Sequence, residues 1–355
     1  MKRVGNLYGR LCSFENLYLA ACRARRGKRR RPDVAAFHCE LEGELVSLQE
    51  ELQSKSYRPG PYRAFRIRDP KPRLISAAAY RDRVVHHALC QVIEPIFDKG
   101  FIFDSYANRL GKGTHKALDR CTHFARRNPY VLKCDLEKYF PSIDHELLKA
   151  RLARKIKCRD TRWLMGLIID HSNPQEEIIR HFPGDTLFTP LERRRGIPIG
   201  NLTSQFFANV YLNGFDHFVQ QELRSPAYVR FADDFLIFGQ SKARLGELRR
   251  PLQDYLNGLR LRLHPTKCQV TPTRTGVSFL GWQVYPDHRR LRRATGVRFQ
   301  RRLRALQQDY GEGGISLEGV RASVLSWIGH LKQGDTWGLR RKLLSRVNFN
   351  AVPRS

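Results

Sequence analysis

The feature that most constrains this chain is a pair of adjacent carboxylates set between two apolar runs. Residues 228–238 read Tyr-Val-Arg-Phe-Ala-Asp-Asp-Phe-Leu-Ile-Phe. Such a pattern predicts two short strands joined by a turn, with Asp233 and Asp234 at its tip. Adjacent carboxylates repel each other, and apolar flanks keep away the water that would screen them. An ordinary polar turn is one reading, because Asp is common in turns. The hydrophobic flanks favour another, in which a cation relieves the repulsion. A second apolar run, residues 130–135 (Tyr-Val-Leu-Lys-Cys-Asp), ends in a third carboxylate, Asp135. Mg²⁺ prefers a few carboxylates, several waters and phosphate oxygens. Two such ions, Mg²⁺ or Mn²⁺, bridged by Asp135, Asp233 and Asp234 can activate a hydroxyl and stabilise a leaving pyrophosphate. Chemistry of that kind asks little covalent work of side chains, and no Ser/His/Asp or Cys/His constellation stands out.

The charge balance points the same way. Lys and Arg number 64 against 34 Asp and Glu, a net charge of +30 in 355 residues. The excess is spread along the chain and attracts a polyanion, most commonly nucleic acid. A basic but unspecialised surface, or a membrane-surface binder, is the blander reading. The chain has eight cysteines and no Cys-x-x-Cys pair, which argues against a zinc knuckle or a redox motif. Scattered cysteines suggest a reducing compartment. No apolar run reaches the length of a membrane span, and the first residues lack an apolar signal segment, so a cytoplasmic protein without a membrane partner is expected.

Along the chain, residues 1–32 end in a basic run from Arg23 to Pro32, read as a solvated loop or a phosphate contact. Residues 33–55 predict one helix, with Phe37, Leu41, Leu45, Leu48 and Leu52 at helical spacing. A Pro-rich extended stretch runs from Tyr57 to Pro72, followed by a helix from Arg81 to Ile96. Further helices are expected over 144–157, over the segment after Gly196-Ile197-Pro198-Ile199-Gly200-Asn201, and over 241–258. Residues 171–195 read as a polar loop. Strands are expected near Cys268–Thr271 and Val277–Val284, and from Thr295 onward the chain is helical and basic. No internal repeat is evident.

Taken in order, these segments resemble the conserved blocks of reverse transcriptases, from about Arg66 to Trp282. Asp135 with Phe140 is similar to the first palm block, and Gly196 to Gly200 with Ser204-Gln205 to the second. Phe231-Ala232-Asp233-Asp234 resembles the x-x-Asp-Asp block. Leu263-His264-Pro265-Thr266-Lys267 resembles the block after it, and Phe279-Leu280-Gly281-Trp282 the primer grip. The resemblance implies an α+β right-hand polymerase with fingers, a ferredoxin-like palm and a helical thumb. Its expected divisions are 1–56, a basic N-terminal extension with a helix; 57–129, fingers; 130–286, palm; and 287–355, thumb. It implies an RNA-directed DNA polymerase acting on a template RNA, a DNA or RNA primer, the cDNA product and deoxynucleoside triphosphates.

The resemblance also assigns roles. Phe140 would sit under the sugar and exclude a 2′-hydroxyl. Lys71 and Arg73 would grip the triphosphate. Lys267 would protonate the leaving pyrophosphate. Asn108, Arg109 and Lys112, from the Ser105–Gly113 block, would meet the template–primer, as would Ser204, Gln205, Leu280, Gly281 and Trp282. Ile199 and Gly200 would face the incoming nucleotide. Many reverse transcriptases carry Gln where Ile199 stands, and isoleucine neither donates nor accepts a hydrogen bond. With Gly200-Asn201-Leu202-Thr203-Ser204-Gln205, this departure resembles the enzymes of diversity-generating retroelements. Those copy template RNA with errors at adenines, assisted by an accessory protein built as a barrel of four-helix subunits. Antiphage and retron reverse transcriptases share the same blocks, and a non-catalytic RNA-binding module remains a further alternative.

Overall fold

The computed structural model describes residues 3–67, 72–173, 176, 178–345 and 347–349. Its centre is a four-stranded antiparallel sheet. The first two strands of the chain, β1 (Arg63–Ile67) and β2 (Arg73–Ala77), form a separate antiparallel hairpin. The central sheet holds β3 (Tyr130–Asp135), β4 (Tyr228–Phe231), β5 (Asp234–Gly239) and β6 (Gln269–Pro272), in spatial order β4-β5-β3-β6. Helices lie between β3 and β4 and between β5 and β6, which with this order gives the expected ferredoxin-like topology. A three-stranded sheet follows, β7 (Val277–Phe279), β8 (Trp282–Val284) and β9 (Arg289–Leu291).

Why the strands of the central sheet read as unbroken apolar runs is clear from their two faces. Side chains alternate across a strand. Leu132, Cys134, Tyr228, Phe235 and Ile237 enter one buried cluster, with helices Leu202–His217 and Arg249–Asn257. Val131, Val229, Leu236 and Phe238 enter another, with helix Thr114–Arg127 and the β7–β8 hairpin. A sheet covered on both sides has no polar face, so alternation disappears from its sequence.

Several boundaries differ from the sequence reading. Residues 33–55 form two helices, Pro32–Cys39 and Leu41–Ser54, because Glu40 leaves the helical region at φ −113°, ψ 35°. The N-terminal segment, expected as a basic extension with a helix, packs on the core. Leu17, Ala20, Ala21 and Ala24 of helix Phe14–Arg25 are buried in the same cluster as Val84, Ala88 and Leu89 of helix Tyr80–Asp98. The stretch read as extended to Pro72 contains β1. Residues 277–284 are two strands, since Leu280 (φ 46°) and Gly281 (φ 86°) make a two-residue turn of the kind that closes hairpins. The third strand of this small sheet, β9, returns against β8. The C-terminal helices, Arg293–Gly311, Leu317–Leu331 and Trp337–Leu344, come after it. Among the described residues, no helix is long and apolar enough to cross a membrane.

Candidate active site

The sheet register brings the three aspartates together. Asp135, the last residue of β3, lies directly opposite Asp234, the first of β5. Asp233 occupies the two-residue turn between β4 and β5, and its carbonyl accepts the Leu136 N–H at 3.1 Å. Ala232 takes up the positive φ (56°) that so tight a turn requires. Burial, and then the neighbouring Asp135 charge, push the Asp233 carboxyl above the usual carboxylate range. Asp234 is pushed up to about 7, chiefly by burial; Lys133 opposes the shift, and Asp135 and Asp233 add to it.

Two lysines attend the trio. Lys267 donates to Asp135 Oδ1 at 2.9 Å, and Lys133 Nζ lies 3.4 Å from Asp234 Oδ2. The loop carrying Lys267 is tied to β3 by backbone bonds, His264 N–H to the Asp135 carbonyl at 2.8 Å and Glu137 N–H to the Arg262 carbonyl at 2.9 Å. A buried ion pair stands beneath the turn. Arg230, in β4, binds Asp216 through both carboxylate oxygens (2.6 and 2.7 Å) and donates to the Ala232 carbonyl at 3.1 Å. Tyr228 donates to the same Asp216 at 2.8 Å. Sequence reasoning missed Lys133, Arg230 and Asp216. The available signal was a charge inside an otherwise apolar strand, which a buried site retains only with a partner.

Above Asp135 and Asp233 opens a cleft of about 670 Å³, lined by these two and among others by Arg66, Arg73, Phe140, Ile199, His264 and Lys267; Asp234 lies outside its lining. One loop assembles two of its walls. Ser76 N–H, in β2, donates to the Ile199 carbonyl at 3.2 Å, and Ile197 N–H donates to the Phe140 carbonyl at 3.1 Å. Gly200, at φ 115°, leaves space against β2: a Cβ there would stand 3.2 Å from Ile75 Cγ2. At the rim Glu176 pairs with Lys138 and Arg180 with Glu137, each at 2.6 Å.

Not every expected residue meets this cleft. Lys71 lies outside the described residues. Asn108 is exposed in the loop before helix Thr114–Arg127, at φ 51°. Arg109 is engaged by protein, donating to Asp98 at 2.6 Å and to the carbonyls of Ile102 and Ser105. Lys112 donates to the Phe103 carbonyl at 2.7 Å and lies over that ring. Ser204 and Gln205 begin helix Leu202–His217 outside the cleft lining, with Ser204 buried. Trp282 is 0% exposed within the second cluster and anchors the hairpin whose turn is Leu280-Gly281.

Among the described residues, no three His, Cys, Asp or Glu side chains form a ready cation cage; Asp135 and Asp234 are turned toward lysines instead. The chemistry nonetheless fits. Asp234 Oδ1 is enclosed without a hydrogen-bond partner, and carboxylates forced together out of water favour a hard cation shared with phosphate.

Comparison with known proteins finds a family match and several relatives. The family model for reverse transcriptase (RNA-dependent DNA polymerase) matches residues 67–284, more than half of the chain. The protein YkfC of Escherichia coli (strain K12) is 27% identical over 286 residues, covering 69% of this chain and 72% of its own length. The putative COX1/OXI3 intron 1 protein of Saccharomyces cerevisiae is 23% identical over 296 residues, 68% of this chain and 34% of that protein. The group II intron-encoded protein LtrA of Lactococcus lactis subsp. cremoris is 22% identical over 183 residues, 51% and 29% respectively. The chain thus spans about a third of the two intron proteins. Telomerase from Candida albicans aligns with a TM-score of 0.44 at 12% identity, over 76% of this chain and 55% of that one.

Proposed function

Since this chain belongs to the reverse transcriptase family, RNA-dependent DNA polymerases, we propose that its cleft copies a template RNA into cDNA, with Asp135, Asp233 and Asp234 as the metal-holding residues. The observation that carries this reading is the register that sets Asp135 opposite Asp234 beside the Asp233 turn. When bound, two Mg²⁺ ions, or Mn²⁺ in their place, lower the pKa of a primer 3′-hydroxyl and offset charge on the leaving pyrophosphate. The chain's own residues do the rest. Arg73 and Arg66 bind triphosphate oxygens, helped by Lys71. Phe140 packs against the deoxyribose and excludes a 2′-hydroxyl. Lys267, beside Asp135, delivers a proton to pyrophosphate. Fingers would span 57–129, the palm 130–286 and the thumb 287–355. Template and primer would meet Asn108, Arg109, Lys112, Ser204, Gln205 and the Leu280-Gly281 turn.

The finer reading is mutagenic copying in a diversity-generating retroelement, with an accessory four-helix-bundle protein as partner. Its support is Ile199 in the cleft wall beside Gly200. A side chain without donor or acceptor offers no polar check on the template–substrate base pair. Sequencing of cDNA made on a defined RNA tests it. Misincorporation concentrated opposite adenines, and reduced in Ile199→Gln, is expected. Low, uniform error rates unchanged by Ile199→Gln would instead leave a retron or antiphage-type polymerase.

A further inference from the structure

Two cysteines lie beside the cleft with no part in the chemistry above. Cys134 precedes Asp135 in β3, and Cys268 follows Lys267 and immediately precedes β6. The pairing of these strands places Lys133 opposite Gln269, and one further step sets Cys134 opposite Cys268. Their sulfurs are 2.7 Å apart. A disulfide bond is about 2.05 Å long and needs side chains already directed at each other across a short backbone gap. Cys134 is fully enclosed, whereas Cys268 retains 9% of its surface.

From this juxtaposition we infer that Cys134 and Cys268 are a disulfide-forming modification site, closed by exchange with a small-molecule disulfide such as oxidised glutathione. Cys268, the more accessible thiol, attacks one glutathione sulfur as its thiolate. The glutathione S–S bond breaks, one glutathione leaves and takes a proton, and a mixed disulfide remains on Cys268. Cys134 then attacks the Cys268 sulfur and releases the second glutathione with the second proton. Two protein thiols are oxidised and one glutathione disulfide is reduced to two thiols. The product ties together the residues next to the Asp135–Lys267 ion pair, and the strand register brings its ends together without refolding. It also closes a long loop, which restricts the unfolded chain far more than the folded one.

The full-length protein, incubated in glutathione buffers of rising oxidised fraction and alkylated, is digested without reduction. The expected product is a linked pair of peptides carrying Cys134 and Cys268, two hydrogens lighter than their sum and lost on dithiothreitol treatment. A reversible rise of several degrees in melting temperature should accompany it and be absent from Cys268→Ala. Cys22 and Cys39 are exposed and report that the reagent has acted. If these two become glutathionylated while Cys134 and Cys268 stay alkylatable, the inference is wrong. It is equally wrong if Cys268 stops at the mixed disulfide, or if the link forms only in denaturant.

Discussion

Phe140 stands in the wall of the cleft, with its ring edge-on to Tyr139 and the Ile197 N–H bonded to its carbonyl. Its backbone is therefore fixed independently of what its ring touches, so truncation changes the shape of the cleft rather than the fold. Phe140→Ala should admit ribonucleoside triphosphates, raising their incorporation relative to deoxynucleotides by about tenfold to a hundredfold, the scale of lost steric discrimination in a pocket. Primer extension with each nucleotide set measures that ratio. An unchanged ratio would remove Phe140 from sugar selection. Ile199 and Arg73 face the same space, but only Arg73 carries charge, and its guanidinium opposes, without cancelling, the upward shift that burial and Asp135 impose on Asp233. Arg73 thus acts on the carboxylates even before a triphosphate arrives.

At the scale of elements, the β4–β5 hairpin depends on a buried ion pair. Arg230 and Asp216 are 1% and 0% exposed and bonded at two points. Removing one member leaves the other charged and unpaired in the core, at a cost of about 3–5 kcal/mol. Arg230→Met is expected to lose stability on that scale in denaturant unfolding, and Arg230→Met with Asp216→Leu should recover a large part of it. Equal losses in single and double variants would show that the pair does not hold the turn. Much of this hairpin was legible in the sequence. The apolar flanks of Asp233-Asp234 predicted its strands, and the run ending at Asp135 predicted β3 to the residue. Both are short buried strands, where burial overrides other signals. Arg230 was not legible as a structural brace, because its partner Asp216 lies in a helix and only the fold brings them together. The β1–β2 hairpin escaped notice because β1 is exposed along its whole length and carries no buried pattern. The break at Leu280-Gly281 escaped because Leu rarely takes a positive φ, so the apolar run read as one strand.

For the whole molecule the governing quantity is charge. A net +30 over 355 residues would draw a template–primer duplex and displace its counterions. If about six or more phosphates are neutralised, affinity should fall about a thousandfold or more between about 50 and 200 mM salt. Titration of a labelled RNA–DNA duplex at several salt concentrations gives the slope. A nearly flat dependence would mean that the basic surface does not track the duplex. Catalysis is proposed at the meeting point of β3 and the β4–β5 turn. The most direct measurement is incorporation of deoxynucleotides on a primed RNA template, with and without Mg²⁺, in the wild type and in Asp135→Asn, Asp233→Asn and Asp234→Asn. The account predicts Mg²⁺-dependent extension, reduced on the order of a thousandfold in each variant while duplex binding is retained. Extension that persists in any of the three folded variants would contradict it.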